Sequence, residues 1–271
     1  MILCSTGALL GRANGREFTL LETLAPQLNC DGYELMIYQD WYRRLSELEG
    51  FLHRAKLNIP SVHCEKDIGK NLGLGGEEAT EEAFANFDLN CRIARAAGAK
   101  KLVLHLWSGV ISDQHIENNL NAYAALEKTA RDSGLLLTVE NVVCNQRDPM
   151  THMRTLSERY PEVCFTFDTK NAAFHSQLEA LYAPENEWLR QRIAHWHVND
   201  YAGGHMEWDR FLGPVKPIGK GNIDFEPFFR YLKENGSGCD LTVEATAFDQ
   251  TGANDISMLN GQFALLRERL G

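Results

Sequence analysis

The stretch LLLTVEN, residues 135–141, joins a continuous apolar run to a glutamate, Glu140, at its end. Three later runs have the same form: VCFTFDT at 163–169, IAHWHVND at 193–200 and CDLTVEA at 239–245. Continuous apolar runs of this length are typical of parallel strands, because both faces of a parallel sheet are buried. The polar side chains at their ends, Glu140, Asp168, His197 and Glu244, therefore mark one edge of a predicted parallel sheet.

Runs of this kind recur along the whole chain and alternate with segments of helical periodicity. Eight strands are predicted, at Ile2–Thr6, Tyr33–Tyr38, Ile59–Cys64, Lys101–Leu106, Leu135–Asn141, Val163–Asp168, Ile193–Asn199 and Asp240–Ala245. The clearest helices are predicted at Glu78–Ala97, Ile116–Asp132, Phe225–Glu234 and Ile256–Leu270. Eight such repeats in 271 residues predict an α/β fold, a closed (β/α)8 TIM barrel that forms a single domain over residues 1–271. An open doubly wound sheet is the alternative.

The composition limits the classes of partner and the compartment. With 37 acidic and 27 basic residues the chain has a net charge of −10, which argues against nucleic acid and anionic membranes as partners. Its seven cysteines form no CxxC pair, and this pattern favours a reducing cytoplasm over a disulfide or zinc-ribbon protein. No apolar run approaches the ~18 residues of a membrane span. The composition is compatible with a homo-oligomer.

Active sites of such barrels lie at the carboxyl ends of the strands. Six successive predicted strands end there in a residue that can bind a metal or move a proton: His63, His105, Glu140, Asp168, His197 and Glu244. Buried carboxylates on neighbouring strands repel one another unless a cation lies between them. The last four residues therefore predict a site for one divalent ion, Mn, Mg, Co or Zn. The alternative for each residue alone is a hydrogen-bonded structural role. His195 shares a strand face with His197 and is predicted one layer deeper.

Three glycine-containing stretches need a separate interpretation. The segment 200–222 holds five glycines and two prolines and is predicted to form a lid over the site. NLGLGGEEATEE, residues 71–82, lacks the spacing of a phosphate loop and is interpreted as a flexible loop leading into a helix. PIGKG, residues 217–221, either brings backbone amides with Lys216 or Lys220 to the site or forms only a turn.

With these motifs in place, the chain resembles the xylose isomerase-like TIM-barrel superfamily of sugar and sugar-phosphate isomerases and epimerases, in particular its ketose 3-epimerases. The resemblance spans nearly the whole chain. It rests on TVENVV (138–143), CFTFDTKNA (164–172), HWHVNDY (195–201), PIGKGNIDF (217–225) and LTVEA (241–245). It implies one divalent ion held by Glu140, Asp168, His197 and Glu244, with both glutamates also acting as catalytic acid and base groups.

The resemblance further implies a metal-dependent isomerase or epimerase of a small carbohydrate, either a ketose or a sugar phosphate. A divalent ion bound to the ketose carbonyl and its neighbouring hydroxyl would acidify the C–H bond and stabilise an enediolate. One glutamate would remove the proton and the other would return one. A metal-dependent dehydratase of a keto-inositol or similar polyol is one rival hypothesis. A barrel that binds a sugar without catalysis is the other.

The residues expected to contact the substrate are His63, His105, Trp107, Glu34, Lys170, Asn171 and Lys216. Relatives often carry a histidine three residues after the aspartate ligand, where this chain has Asn171, and the adjacent Lys170 would suit a sugar acid or phosphate. The AP endonucleases of the superfamily need that histidine and another in the loop after the seventh strand, where Phe211 stands. A DNA-repair enzyme is therefore not expected.

Overall fold

Eight parallel strands pair in chain order around a closed ring, with the first strand paired to the last. The computed structural model describes residues 1–236, 238–249 and 251–271. The strands are β1 (Ile2–Ser5), β2 (Gly32–Met36), β3 (Ser61–His63), β4 (Lys101–Leu104), β5 (Leu136–Glu140), β6 (Cys164–Asp168), β7 (Ile193–His197) and β8 (Asp240–Val243). The predicted (β/α)8 barrel is confirmed, and the open sheet is excluded.

Helices connect the strands. The described α-helices are α1 (Leu21–Leu24), α2 (Leu45–Ala55), α3 (Asp67–Leu74), α4 (Glu77–Ala96), α5 (Ile116–Asp132), α6 (Pro149–Arg159), α7 (Thr169–Phe174), α8 (Glu187–Arg190), α9 (Trp208–Phe211), α10 (Glu226–Asn235) and α11 (Ile256–Leu270). Short 3-10 turns lie at Thr6–Ala8, Arg12–Asn14, Phe18–Leu20, Ala25–Gln27, Gln39–Arg44, Glu179–Tyr182 and Pro184–Asn186. The four predicted helices correspond to α4, α5, α10 and α11. Among the described helices, none has both the length and the apolar character needed to cross a bilayer.

The helices pack on the strands through one apolar face. In α10, Phe228 and Leu232 are buried, whereas Lys233 and Glu234 are exposed, as expected for apolar residues spaced at helical periodicity. The ring of Phe228 meets that of Trp196 on β7 at a centroid distance of 5.5 Å. Trp196 points outward from the barrel, so its two neighbours in the chain, His195 and His197, point inward.

Two β-strands end earlier than the apolar runs predicted. The predicted fourth strand reaches Leu106 but β4 ends at Leu104, and the predicted eighth reaches Ala245 but β8 ends at Val243. His105 and Glu244 thus lie just beyond the last paired residue of their strands. Because the ladder no longer fixes the backbone there, these side chains can turn toward the barrel mouth.

The glycine-rich segment at 71–82 differs from the prediction of a flexible loop. Residues Asp67–Leu74 form α3, and only Gly75 and Gly76 separate it from α4. A Cβ atom on Gly69 would lie 2.1 Å from the carbonyl oxygen of His105, so only glycine lets α3 pack this closely on the end of β4. Gly69, just before the segment, and Gly73 within it therefore serve helix packing, while Gly75 and Gly76 form the turn.

Candidate active site

The four residues predicted to bind a metal lie together at the carboxyl end of the barrel. Nδ1 of His197 is 3.4 Å from Oε2 of Glu244, 3.6 Å from Oε2 of Glu140 and 4.0 Å from Oδ2 of Asp168. This nitrogen is buried and has no hydrogen-bond partner among the described residues. Two ligands about 2.1 Å from a common ion in a tetrahedral arrangement lie ~3.4 Å apart. The mutual spacing of Glu140, Asp168 and His197 therefore fits a divalent cation, and Glu244 approaches the same nitrogen.

The electrostatics of the cluster favour a positive charge at the same point. Burial, reinforced by the carboxylates of Glu140 and Glu244, raises the pKa of Asp168 to about 7. Burial alone would lower the pKa of His197, but the carboxylates of Glu244, Glu34 and Glu140 outweigh it and raise that pKa well above its usual value. Three carboxylates and one imidazole form a donor set suited to Mn, Mg, Co or Zn.

A cavity of about 560 Å³ opens above this cluster, within the size range of small-molecule sites. Its polar part includes Glu140, Asp168 and Glu244, and an apolar wall is formed by Trp208 and Phe211 from the loop after β7. The loop predicted as a lid therefore lies against the site, and it carries the short helix α9.

The family follows from the sequence together with this fold. The sequence profile described as the xylose isomerase-like TIM barrel matches residues 23–261. The chain belongs to the xylose isomerase-like TIM-barrel family. No curated protein sequence matches it.

Solved structures similar to this family member include epimerases, a probable dehydratase and a zinc-binding protein. An IolI protein with a bound zinc atom has a TM-score of 0.73 at 15% identity, covering 100% of this chain and 99% of that one. A 3-keto-D-glucoside 4-epimerase from E. coli has a TM-score of 0.70 at 14% identity, covering 98% of both chains. A probable 3-DHS dehydratase from Bacillus anthracis has a TM-score of 0.66 at 14% identity, covering 98% of both chains. Ketose 3-epimerases share the fold as well. At these identities the likeness establishes the fold.

Two asparagines that were not predicted hold the carboxylates of this family member in place. Nδ2 of Asn199 donates to Oδ2 of Asp168 at 2.8 Å and to Oε2 of Glu244 at 2.9 Å. The side chain of Asn141 pairs with the backbone of Asp168 through two hydrogen bonds, of 2.6 and 3.0 Å. Strand alternation was the available signal for Asn199, since it lies two residues after His197 and so faces the same way.

Asn171 stands where the resemblance to ketose epimerases led us to expect a histidine. Its Nδ2 donates to Oε1 of Glu140 at 2.8 Å, and its backbone N–H donates to Oδ1 of Asp168 at 2.6 Å. The adjacent Lys170 places its Nζ 3.9 Å from the ring centroid of Phe211. Burial lowers the pKa of Lys170. Both residues line the cavity, in the place predicted for substrate contacts.

His63 and His105 also line the cavity and contact Glu140. Nδ1 of His63 lies 2.8 Å from the carbonyl oxygen of Cys64, which can only accept, so Nδ1 carries a hydrogen. Burial lowers the pKa of His105 to about 4, which keeps that ring neutral near pH 7. Nε2 of His105 lies 3.0 Å from Oε2 of Glu140, and Nε2 of His63 lies 3.3 Å from the same oxygen.

Glu34 was predicted to contact the substrate, but it is fully buried beneath His197 instead of lining the cavity. Its Oε1 lies 3.0 Å from Nε2 of His197, off the line of the N–H bond, and its Oε2 lies 2.8 Å from Nε2 of His195. Nδ1 of His195 accepts from Nζ of Lys101 at 3.1 Å, and Lys101 lies 3.3 Å from Asp240. His195 thus lies one layer deeper, as predicted, in a polar column along the barrel axis.

Two further residues predicted to contact the substrate lie elsewhere. Trp107 is fully buried and donates its indole N–H to the carbonyl oxygen of Val142 at 2.8 Å, so it supports the cavity wall from behind. Lys216 is exposed, is not among the described residues that line the cavity, and pairs through its backbone with Asp200. In the turn at 217–221, two amides donate to Asp200 at 2.8 and 2.9 Å and are not available to a ligand.

Proposed function

We propose that the chain is a divalent-metal-dependent isomerase or epimerase of a small carbohydrate. One observation supports it most: Glu140 and Glu244, from different sides of the strand ring, approach the same imidazole nitrogen and both line one cavity. A sugar bound there would lie between two carboxylates. The IolI neighbour with its zinc atom and the epimerase neighbours share the fold in which this arrangement is built.

Glu140, Asp168, His197 and Glu244 would hold the ion, which when bound supplies charge that polarises a substrate carbonyl and acidifies the adjacent C–H bond. Glu140 is oriented for proton removal because Asn171 and His105 fix its two oxygens. Burial alone would raise the pKa of Glu140, but the imidazoles of His105 and His197 hold it well below its usual value and keep it a base.

Glu244 provides the second proton-transfer group. Its side chain is 16% exposed, against 3% for Glu140, so it faces more open space in the cleft. Asn199 holds its Oε2 at 2.9 Å. Return of a proton to the opposite face of the same carbon gives an epimer, and return to the neighbouring carbon gives the isomer.

A dehydratase is the second candidate, and the probable 3-DHS dehydratase among the structural neighbours is the observation that favours it. The same base would remove the C–H proton. The hydroxyl group on the next carbon would then leave with a proton from the second glutamate as water, and a C=C bond would form.

The test is the transfer of deuterium from D2O into sugars incubated with the metal-loaded protein. We expect exchange across a panel of ketoses, sugar acids and sugar phosphates, with Glu140→Gln and Glu244→Gln each lowering its rate by about 100-fold or more. Glu78→Gln, on the exposed start of α4, is the control and should exchange as the wild type does. Near-wild-type exchange in either site variant would show the two-base mechanism to be wrong. Loss of water without deuterium in recovered substrate would favour the dehydratase.

A further inference from the structure

We propose that the substrate carries an anionic group, a carboxylate or a phosphate, that binds in a second lobe of the cleft lined by Arg12, Arg16 and Lys66. This inference rests on the proposed function, since it names the chemical class of the sugar that the same site would convert. The lobe lies on the far side of Glu244 from the main cavity.

The two cavities adjoin at Glu244. The second lobe has a volume of about 520 Å³ and shares Glu244, Lys66 and Val215 with the main cavity. A substrate carbon placed beside Glu244 therefore has room on both sides. A sugar can react over the metal-ligand cluster while a substituent extends into the second lobe.

The cations of the second lobe are not neutralised by the protein. Among the described residues, no carboxylate oxygen lies within 4.0 Å of a side-chain nitrogen of Arg12, Arg16 or Lys66. The guanidinium of Arg16 stacks 4.5 Å from the ring centroid of Tyr38, and its Nε is buried without a hydrogen-bond partner. Because these three cations have no carboxylate partner, an oxyanion in the lobe would gain charge-assisted hydrogen bonds from them.

Three carboxyl groups share the same lining, and each is engaged elsewhere. Asp67 lies 3.4 Å from Nζ of Lys70. Glu244 accepts from Asn199 in the metal-ligand cluster. Glu65 is buried and accepts from the backbone N–H of Asp67 at 2.9 Å. None of these three carboxyl groups pairs with Arg12, Arg16 or Lys66.

The charge of the whole chain makes these unpaired cations informative. With a net charge of −10, the protein surface in general repels anions. The second lobe nevertheless includes Arg12, Arg16 and Lys66, none of them paired with a carboxylate among the described residues. These cations favour an acidic sugar over a neutral one.

The test compares Arg16→Met and Arg12→Gln with Arg54→Met, an exposed cation on α2 outside the residues that line either cavity. Methionine keeps the unbranched stem of Arg16 against Tyr38 and removes its charge. With sugar acids and sugar phosphates as separate arms, we expect each lobe variant to raise KM by about 10- to 100-fold for the anion that the lobe accepts, with kcat changed little. Arg54→Met should leave KM unchanged. Equal turnover of neutral ketoses, or unchanged KM in both lobe variants, would overturn the proposal.

Direct binding separates this proposal from the proposed function. Equilibrium dialysis of inorganic phosphate and of D-gluconate measures how tightly the lobe binds each anion, without any turnover. If no sugar exchanges deuterium but Arg16→Met weakens binding of either anion relative to Arg54→Met, the proposed function fails and the anion site stands. If exchange occurs and neither anion distinguishes the two variants, the anion site fails and the isomerase stands.

Discussion

At the scale of single residues, the imidazole of His197 has carboxylates near both of its nitrogens. Nδ1 faces the cavity cluster, while Nε2 faces the fully buried Glu34 at 3.0 Å. A carboxylate behind a metal-ligating histidine favours the tautomer with the proton on the far nitrogen, and it increases the basicity of the near one. Glu34 is therefore placed to orient the His197 ring, although it does not line the cavity.

Replacing Glu34 with glutamine should weaken metal binding while the fold is retained. Glu34→Gln keeps the size of the side chain but removes the charge that holds the proton on Nε2 of His197, so we expect the dissociation constant for Mn²⁺ or Zn²⁺ to rise by about 10- to 100-fold. Calorimetric titration measures it, and a thermal melt checks folding. Glu65→Gln, also at a buried glutamate, is the matched control. An equal loss in both variants would contradict a specific role for Glu34.

That these four side chains meet could be predicted from the sequence, because each ends an apolar run and the ends of parallel strands meet at one edge. Glu34 lies in the middle of β2, where a single sequence does not show which polar residue faces another across the barrel. The prediction that Trp107 contacts the substrate was wrong for a different reason. Trp107 follows a strand end as His105 does, but its ring is buried behind the cavity wall.

At the scale of elements, the loop at 200–222 is closed at its base by one side chain. Asp200 accepts from the backbone N–H groups of Gly219, Gly221 and Ile223, at 2.8 to 3.1 Å. The rings of Trp208 and Phe211 pack on Phe174 of α7 at centroid distances of 4.8 and 4.7 Å. These contacts hold the loop against the cavity.

A methyl group at the base of this loop should open it. A Cβ atom on Gly221 would lie 2.3 Å from Oδ1 of Asp200, whereas on Gly213 it would meet its nearest atom at an ordinary 3.5 Å. We expect Gly221→Ala to cost about 1–3 kcal/mol of unfolding free energy and to speed tryptic cleavage after Arg210. Gly213→Ala should resemble the wild type in both measurements. Wild-type cleavage in Gly221→Ala would show that Asp200 does not control the loop.

The periodic elements could be predicted, whereas α3 could not. Apolar periodicity located the eight strands and helices such as α4 and α5 because their buried faces repeat at regular intervals. Helix α3 contains Gly69 and Gly73, which weaken helical propensity and resemble the composition of a loop. Close packing decided their structure, of Gly69 on residues 105 and 106 and of Gly73 on Ile111 and Asn119, and those contacts are not visible in the local sequence.

At the scale of the whole molecule, the two ends of the chain meet where the barrel closes. Asp31 accepts from the backbone N–H of Ile2 at 2.7 Å and from the guanidinium of Arg267 at 2.6 Å. It thus joins β1 to α11. Partial burial would raise the pKa of Asp31, but these two donors outweigh it and hold the pKa below its usual value.

The contribution of Asp31 to stability should disappear in acid. Because its folded pKa lies below the unfolded value of about 3.9, the contribution is present above that pH and is lost as pH falls through the folded pKa. The side chain is 40% exposed, so we expect Asp31→Asn to cost only about 0.5–1 kcal/mol at pH 7 and almost nothing well below pH 4. Urea unfolding at pH 7, 5 and 3 measures this, with the exposed Asp88→Asn as control. A difference that is independent of pH would contradict the assignment.

The buried polar column also determines how such a protein can diversify. Removing one partner from a buried charged pair typically costs about 3–5 kcal/mol, so Lys101, His195 and Glu34 constrain one another against mutation. The cavity rim is not constrained in this way, since Val110 is 95% exposed and Leu212 is 76% exposed. Single substitutions at the rim can therefore change which ligands the cavity accepts, while the buried polar column below it stays the same.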